Sequence, residues 1–336
     1  MEENGMKKFG KNMMILVMLG ALAVVGTGCG GAQEAAPAEK IPAIGIIQYV
    51  EHSALDAARE GFVSALADNG YIDGETVTID VQNAQADQSN LATISDRFVS
   101  NNLDLILAIA TPATQAIAGK TTEIPILGTA VTDYVVARLV DSNEVPGANV
   151  SGTTDMNPIS EQIDLLIKLV PTAKTIGVLY TSSEDNSVLQ AAIAKEAIEK
   201  AGLKYVEVTV TNSNDVQQAT QSIVGQCDAI YIPTDNVFAS AMPVVHGVTI
   251  ESKTPVICGE SGMVLNGGLA TLGINYGDLG YQTGLMAVKI LKGEAETATM
   301  PIESATKFDF AINGTVAEEI GLEIPADLQQ YVIESN

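Results

Sequence analysis

The chain has 336 residues and a formal net charge of −24 at pH 7, with 17 lysines and arginines against 41 aspartates and glutamates. So acidic a surface repels phosphate backbones and anionic lipid, which excludes nucleic acid as a partner and leaves solubility as the plain reason for the charge. Apolar residues make up 46%, enough for real cores, and the length suits two domains of ordinary size or one bilobed unit.

At the amino end, Lys7, Lys8 and Lys11 precede an apolar run over 13–25, closed by Gly26, Thr27 and Gly28. A basic start, a short apolar core and a small-residue exit make an export signal. The core is shorter than the roughly 20 apolar residues of a spanning helix. Cys29 follows directly, and residues 30–39 show no apolar periodicity. The segment resembles a bacterial lipoprotein signal. That resemblance implies removal of residues 1–28, lipidation of the Cys29 thiol and a membrane contact made only through the lipid. Gly26 departs from the family pattern, which favours Leu, Val or Ile there, and an ordinary secretory signal with an incidental cysteine is the alternative. Residues 29–40 are expected to form a flexible linker.

Beyond it, strand-like apolar runs alternate with segments of helical period. Residues 41–48 read as a strand, 53–69 as a helix, 76–81 as a strand and 91–101 as a helix. Strands at 105–110 and 124–128 follow, with a short helix over 113–119 between them. The order then recurs: strand 175–180, helix 187–201, strand 205–210, helix 216–225, strand 228–232, helix 237–251 and strand 255–258. Such alternation gives a parallel sheet covered on both faces. Residues repeat as well: Ile44-Gly45-Ile46-Ile47 parallels Ile176-Gly177-Val178-Leu179, and Pro125-Ile126 parallels Pro255-Val256. The offset stays within about 124–134 residues, as a lobe duplication leaves it. An unrepeated stretch, 129–155, joins the halves.

The tail reads as strand 269–275, helix 279–293 and strand 308–312 before a short amphipathic end, two further chain crossings between lobes. The expected architecture is α/β: two Rossmann-like parallel-sheet lobes, 41–152 with 274–303 and 153–273 with 304–336, joined by three crossings and closing by hinge motion. Cys227 and Cys258 fall at opposite ends of neighbouring strands, beyond the roughly 7 Å Cα limit of a bridge, so both are expected to be small core residues.

Several motifs occur in order: Ile44-Gly45-Ile46-Ile47-Gln48 with Glu51-His52-Ser53-Ala54-Leu55-Asp56, then Gly128-Thr129-Ala130-Val131-Thr132-Asp133-Tyr134. Tyr180, Glu184, Asn186-Ser187, Pro233-Thr234-Asp235-Asn236 and Gly273-Ile274-Asn275-Tyr276 continue them. Together they resemble the substrate-binding proteins of ABC importers in the tryptophan/tyrosine-type subfamily, over essentially the whole exported part. Ser53 departs from the motif, where proline is expected. The resemblance implies the periplasmic binding protein type I fold, an extracytoplasmic monomer that serves an ABC permease, and an aromatic amino acid as ligand.

In open α/β sheets, ligands bind beyond the carboxyl ends of the strands. That rule selects loops 48–55, 111–114 and 129–134 in the first lobe and 181–187, 234–238 and 259–263 in the second. The candidate ligand residues are Gln48, His52, Ala54, Leu55, Thr111, Pro112, Thr132 and Asp133 on one side. On the other they are Glu184, Asn186, Ser187, Asp235, Asn236 and Glu260. These loops are acidic and contain no lysine or arginine, which favours a ligand ammonium group. A ligand carboxylate would then rest on hydroxyls and helix-start N–H groups, and Asp235 with Glu260 is the expected ammonium pair. Thr111, Ser187 and Asp235 would serve equally as helix caps, Asp133 or Glu184 as solvated rim charges, and His52 as a partner of backbone. Tyr49, Tyr134, Tyr180, Phe238 and Tyr276 lie near these loops, suited to stacking on a ligand or to lobe packing.

No Gly-x-Ser-x-Gly elbow, Walker loop or metal-ligand spacing occurs, and His52 and His246 are the only histidines. The chain is therefore expected to need no metal or cofactor and not to be an enzyme. An exported carboxylate-dependent enzyme is one alternative; a ligand-sensing or adhesive surface lipoprotein without a transport role is the other.

Overall fold

The computed structural model describes residues 41–305 and 307–333. The expected signal at 1–28, Cys29 and the linker at 29–40 lie outside the described residues. Apolar runs buried along their whole length make the central strands, as both-face coverage requires. The first lobe takes β1 (Ala43–Gln48), α1 (Ser53–Asp68), β2 (Thr78–Asn83), α2 (Gln88–Ser100), β3 (Leu105–Ile109), α3 (Thr111–Ala118), β4 (Ile126–Val131) and β5 (Val150–Thr154). After α4 (Ile159–Leu169), the second lobe takes β6 (Thr175–Thr181), α5 (Asp185–Lys200), β7 (Lys204–Val210), α6 (Val216–Val224) and β8 (Ala229–Ile232). It continues with α7 (Asn236–Ser240), α8 (Met242–Ser252), β9 (Val256–Cys258), α9 (Ser261–Leu265) and β10 (Ala270–Gly273). The chain returns to the first lobe as α10 (Tyr276–Leu291) and the edge strand β11 (Glu303–Ser304). It then crosses back as β12 (Asp309–Asn313), α11 (Gly314–Ile320) and β13 (Val332–Ile333).

Among the described residues the sheets run β11-β5-β4-β3-β1-β2 and β13-β12-β10-β9-β8-β6-β7. The pairs are parallel except β10 with β12. Each lobe thus places its second strand outside its first, followed by its third, fourth and fifth, and strand ends beside such a switch point form a crevice. Side-chain alternation divides the second lobe's core. Ile176, Val178 and Tyr231 pack on the face covered by α4 and α5, while Leu179, Ile230 and Ile232 pack on the opposite face. The returning α10 is held tightly to α1, because a Cβ at Gly280 would overlap the carbonyl oxygen of Ala58 and one at Gly61 that of Gly277.

Several elements differ from expectation for local reasons. The helix expected over 237–251 is two, α7 and α8, parted at Ala241, since Pro243 opens the first turn of α8 and cannot continue a preceding helix. The strand expected at 76–81 lies at Thr78–Asn83. That expected at 124–128 starts after Pro125 and reaches Val131 through a register shift, with Ala130 at φ 56°. Helices α3, α5 and α10 begin earlier than expected, which brings Thr111 and Asn186 into first turns. The stretch 129–155 is not simply a connection. It contains β5, which carries the first sheet to Thr154, and the amphipathic α4 follows unanticipated. Cys227 and Cys258 are unpaired, the first half-buried and the second buried.

Candidate functional site

The carboxyl ends of β1, β3, β4 and β5 face those of β6, β8 and β9 across a closed cleft. Hydrogen bonds join the two lobes there: Gln115 Nε2 donates to Asp185 Oδ2 at 2.8 Å and Gln190 Nε2 to Thr132 Oγ1 at 3.1 Å. His52 Nε2 lies 3.3 Å from Asn236 Oδ1. Between them remains a narrow space of about 10 Å³, the room of roughly one water, lined by residues that include His52, Leu55, Ala130, Asp155, Asn186, Asp235, Asn236, Glu260 and Tyr276. Beyond Glu260 and Tyr276 a wider groove of about 240 Å³ leads out past Ser53, Ala54 and Gly273.

Four carboxylates, Asp155, Glu184, Asp235 and Glu260, are each only 1% exposed. Among the described residues none has a lysine or arginine partner. The last three stand at the N-cap positions of α5, α7 and α9, yet they differ in what their oxygens do. Asp235 accepts from Phe238 N at 2.9 Å, Thr181 Oγ1 at 2.8 Å and Thr181 N at 2.6 Å, so it caps α7 and ties β6 to β8. Glu260 caps α9, accepting from Met263 N at 2.8 Å and from Gly262 N. Glu184 makes no such cap. Its Oε2 accepts from Asn236 Nδ2 at 2.5 Å and Asn186 Nδ2 at 3.4 Å, while its Oε1 is buried without a partner.

Other buried atoms are likewise unpartnered: His52 Nδ1, Asn186 Oδ1 and Thr111 Oγ1. With Nε2 donating to Asn236, the neutral His52 ring leaves Nδ1 as an acceptor. Burial holds this ring neutral, lowering its pKa to about 4. Asn236 links His52 to Glu184, and Asn186 bonds the same Glu184 oxygen, so three residues with orphan acceptors stand in one network. Thr111 shares a small space with Asn186 and Asp185 at the start of α3. The turn before it is strained: Ala110 has φ 84° and ψ 155°, a region suited to glycine.

Burial also raises the carboxyl groups above their ordinary range. Glu184 is pushed up to about 8, first by burial and then by the charge of Asp235. Glu260 is pushed up to about 7 by burial. Asp155 and Asp235 are raised by the same cause.

The remaining candidates divide. Leu55 lines the space and Ala54 the groove beyond. Thr132 donates to Asp155 Oδ1 at 3.0 Å, and Ser187 bonds Asp235. Pro112 is buried in the first turn of α3. Gln48 is turned to its own lobe, donating to Asp56 Oδ1 and accepting from Arg59 Nη1. Asp133 holds the turn after β4, accepting from Val135 N and Val136 N. Of the five aromatic residues only Tyr276 lines either space. Tyr134 is buried beneath Gly128, Phe238 packs in the core, Tyr49 reaches Ala86 O and Tyr180 bonds Glu207. Asp155 was not among the candidates, because β5 was not recognised. The β-branched run Val150–Thr154 after Pro146-Gly147 is the signal for it, and the strand-end rule then selects Asp155.

Residues 43–335 match the family of ABC transporter substrate binding proteins. The chain is 40% identical over 332 residues to the tyrosine-binding protein of Clostridioides difficile, covering 96% of each. Among solved structures, it is similar to an ABC domain in complex with L-Trp from Streptococcus pneumonia. That match has 39% identity and a TM-score of 0.85, over 88% of this chain and 100% of that one. The ligand-free, open structure of a substrate binding protein with adhesive properties from Clostridium difficile is 47% identical over the same shares, with a TM-score of 0.67.

Proposed function

The chain belongs to the family of ABC transporter substrate-binding proteins, extracytoplasmic binding proteins rather than enzymes, and from that premise we propose that it binds an aromatic amino acid as a zwitterion between its lobes. The observation that carries this reading is the set of buried atoms without partners. An ammonium group has three donors, and Glu184 Oε1, Asn186 Oδ1 and His52 Nδ1 offer three acceptors, one of them on a carboxyl group that a neighbouring ammonium favours in its ionised form. A carboxylate next to that ammonium meets Thr111 Oγ1 and the first turn of α3, where backbone N–H groups and the helix dipole favour an anion. The ammonium role thus falls to Glu184, the one of the three with an oxygen that has no partner, rather than to Asp235 and Glu260, whose oxygens each accept at least one bond within the second lobe.

Closure follows from the same chemistry. A space of about 10 Å³ admits no amino acid, so entry requires the lobes to part at their crossings, and ligand contacts from both sides draw them together. The closer match to the L-Trp complex than to the open structure, despite lower identity, supports a closed arrangement of the described lobes. The relatives that bind tyrosine or carry L-Trp support an aromatic ligand. The protein is further read as anchored through lipidated Cys29, delivering its ligand to an ABC permease.

A thermal-shift panel of the twenty amino acids tests the ligand. A saturating ligand stabilises by RT ln(1 + [L]/Kd), about 4 kcal/mol at a thousandfold excess over Kd. Aromatic amino acids are expected to raise the melting temperature above all others, and a flat panel would refute the reading.

A further inference from the structure

The two ends of the enclosed space differ in chemistry. At the end near Asn186, acceptors stand beside the start of α3. At the other end are Asp155, Glu260 and Tyr276. The apolar part of the lining is formed by Leu55, Ala130 and Ala239.

Sheet order sets the separation. In the second lobe β6, β8 and β9 are consecutive neighbours, so the Glu184 and Glu260 strand ends are two spacings apart, about 10 Å. In the first lobe β3, β4 and β5 place Thr111 and Asp155 at the same separation. An aromatic amino acid with a hydrogen bond at either end covers that distance, with its ring along the apolar wall.

With Glu260 ionised, the far end can accept hydrogen bonds but has none left to donate. Tyr276 Oη donates to Asp155 Oδ2 at 2.7 Å and bonds the Thr234 side chain. Asp155 Oδ1 accepts from Thr132 Oγ1, and each Glu260 oxygen accepts one backbone N–H. A carboxylate has about four lone-pair sites, so Glu260 keeps room for another donor. A side chain ending in hydrocarbon would desolvate this carboxylate without replacing the lost water, which is the condition under which a site rejects a ligand lacking a donor.

Resting on the amino-acid reading above, we propose that Glu260, with Asp155 and Tyr276, selects side chains that carry an O–H or N–H donor at the far side of the ring. L-Tyrosine and L-tryptophan satisfy this end, and L-phenylalanine does not. Glu260 is a specificity residue; the ammonium site at Glu184 supplies the affinity common to all three.

Isothermal titration of the protein and its Glu260→Gln variant with L-tyrosine, L-tryptophan and L-phenylalanine tests this. The wild type is expected to bind tyrosine at least tenfold more tightly than phenylalanine. In Glu260→Gln the preference should fall to about threefold or less, mainly by loss of tyrosine affinity, with phenylalanine affinity held within about threefold. Equal wild-type affinities for tyrosine and phenylalanine, or an unchanged preference in the variant, would overturn the inference and leave the amino-acid reading standing. Failure of all three to bind the wild type would overturn that reading and this inference with it. Circular dichroism checks folding, and if loss of the α9 cap unfolds Glu260→Gln, Asp155→Asn with the same ligands decides between the same outcomes.

Discussion

Glu184→Gln removes one ionisable group from the cleft while keeping the outline of the side chain. The carboxylate is 1% exposed, its Oε2 is held by Asn236 and Asn186, and its Oε1 has no partner within the protein. If Oε1 receives the ligand ammonium, the variant loses a buried, charge-assisted hydrogen bond. Truncating one partner of such a pair costs about 2–5 kcal/mol, or roughly 30-fold to several thousand-fold in affinity at about 1.4 kcal/mol per tenfold. Stability of the ligand-free protein should move the other way or not at all. Burial raises the Glu184 carboxyl to about 8, so ionising it without a ligand carries a desolvation penalty that a neutral amide lacks. Titration calorimetry with L-tyrosine, beside a thermal melt without ligand, separates lost binding from misfolding. Binding within threefold of the parent, about 0.6 kcal/mol, would refute the ammonium assignment.

The closed cleft should respond to pH. Burial holds Glu184 at about 8 and Glu260 at about 7, above the ordinary value near 4.5 that solvent restores when the lobes part. Through these two groups ligand-free closure takes up protons: their stabilisation is full below about pH 4.5 and is lost as pH rises through 7 to 8. His52 works the other way below its ordinary value of 6.5, because burial lowers it to about 4 in the closed cleft. Small-angle scattering should show a larger ligand-free radius of gyration at pH 8.5 than at 6.5, and equal radii would contradict this. Ala110→Gly should stabilise by about 1 kcal/mol, because relief of about 1–3 kcal/mol of backbone strain exceeds the entropy that glycine adds to the unfolded chain. A lower melting temperature would deny the strain. Cys29→Ala should release the protein from membranes or leave its signal uncleaved; normal processing with membrane retention would count against the anchor.

Much of the site's placement was legible before any fold was known. Apolar runs located most strands, the strand-end rule then selected loops that meet across the cleft, and an inventory with acids but no bases suggested an ammonium ligand. The omissions have local causes. Val150–Thr154 is short and threonine-rich with Gly152 inside, so it reads as connection, and Asp155 was lost with it. Helix α4 has Ile159, Ile163 and Leu166 at helical spacing, but it falls outside the repeat that organised the reading.

Periodicity and the duplicated pattern determined two parallel-sheet lobes and placed the candidate acids Asp133, Glu184, Asp235 and Glu260 at strand ends, because burial of alternating faces is written in residue order. Direction is not. Asp235, Glu260 and Glu184 all follow strands and precede helices, and nothing in their order distinguishes them. Backbone geometry turns two of them onto their own helix starts and leaves Glu184 Oε1 bare. Closure of the lobes sets His52 of the first against Asn236, the Glu184 partner in the second, because hydrogen bonds are decided by where atoms point and burial by which surfaces meet.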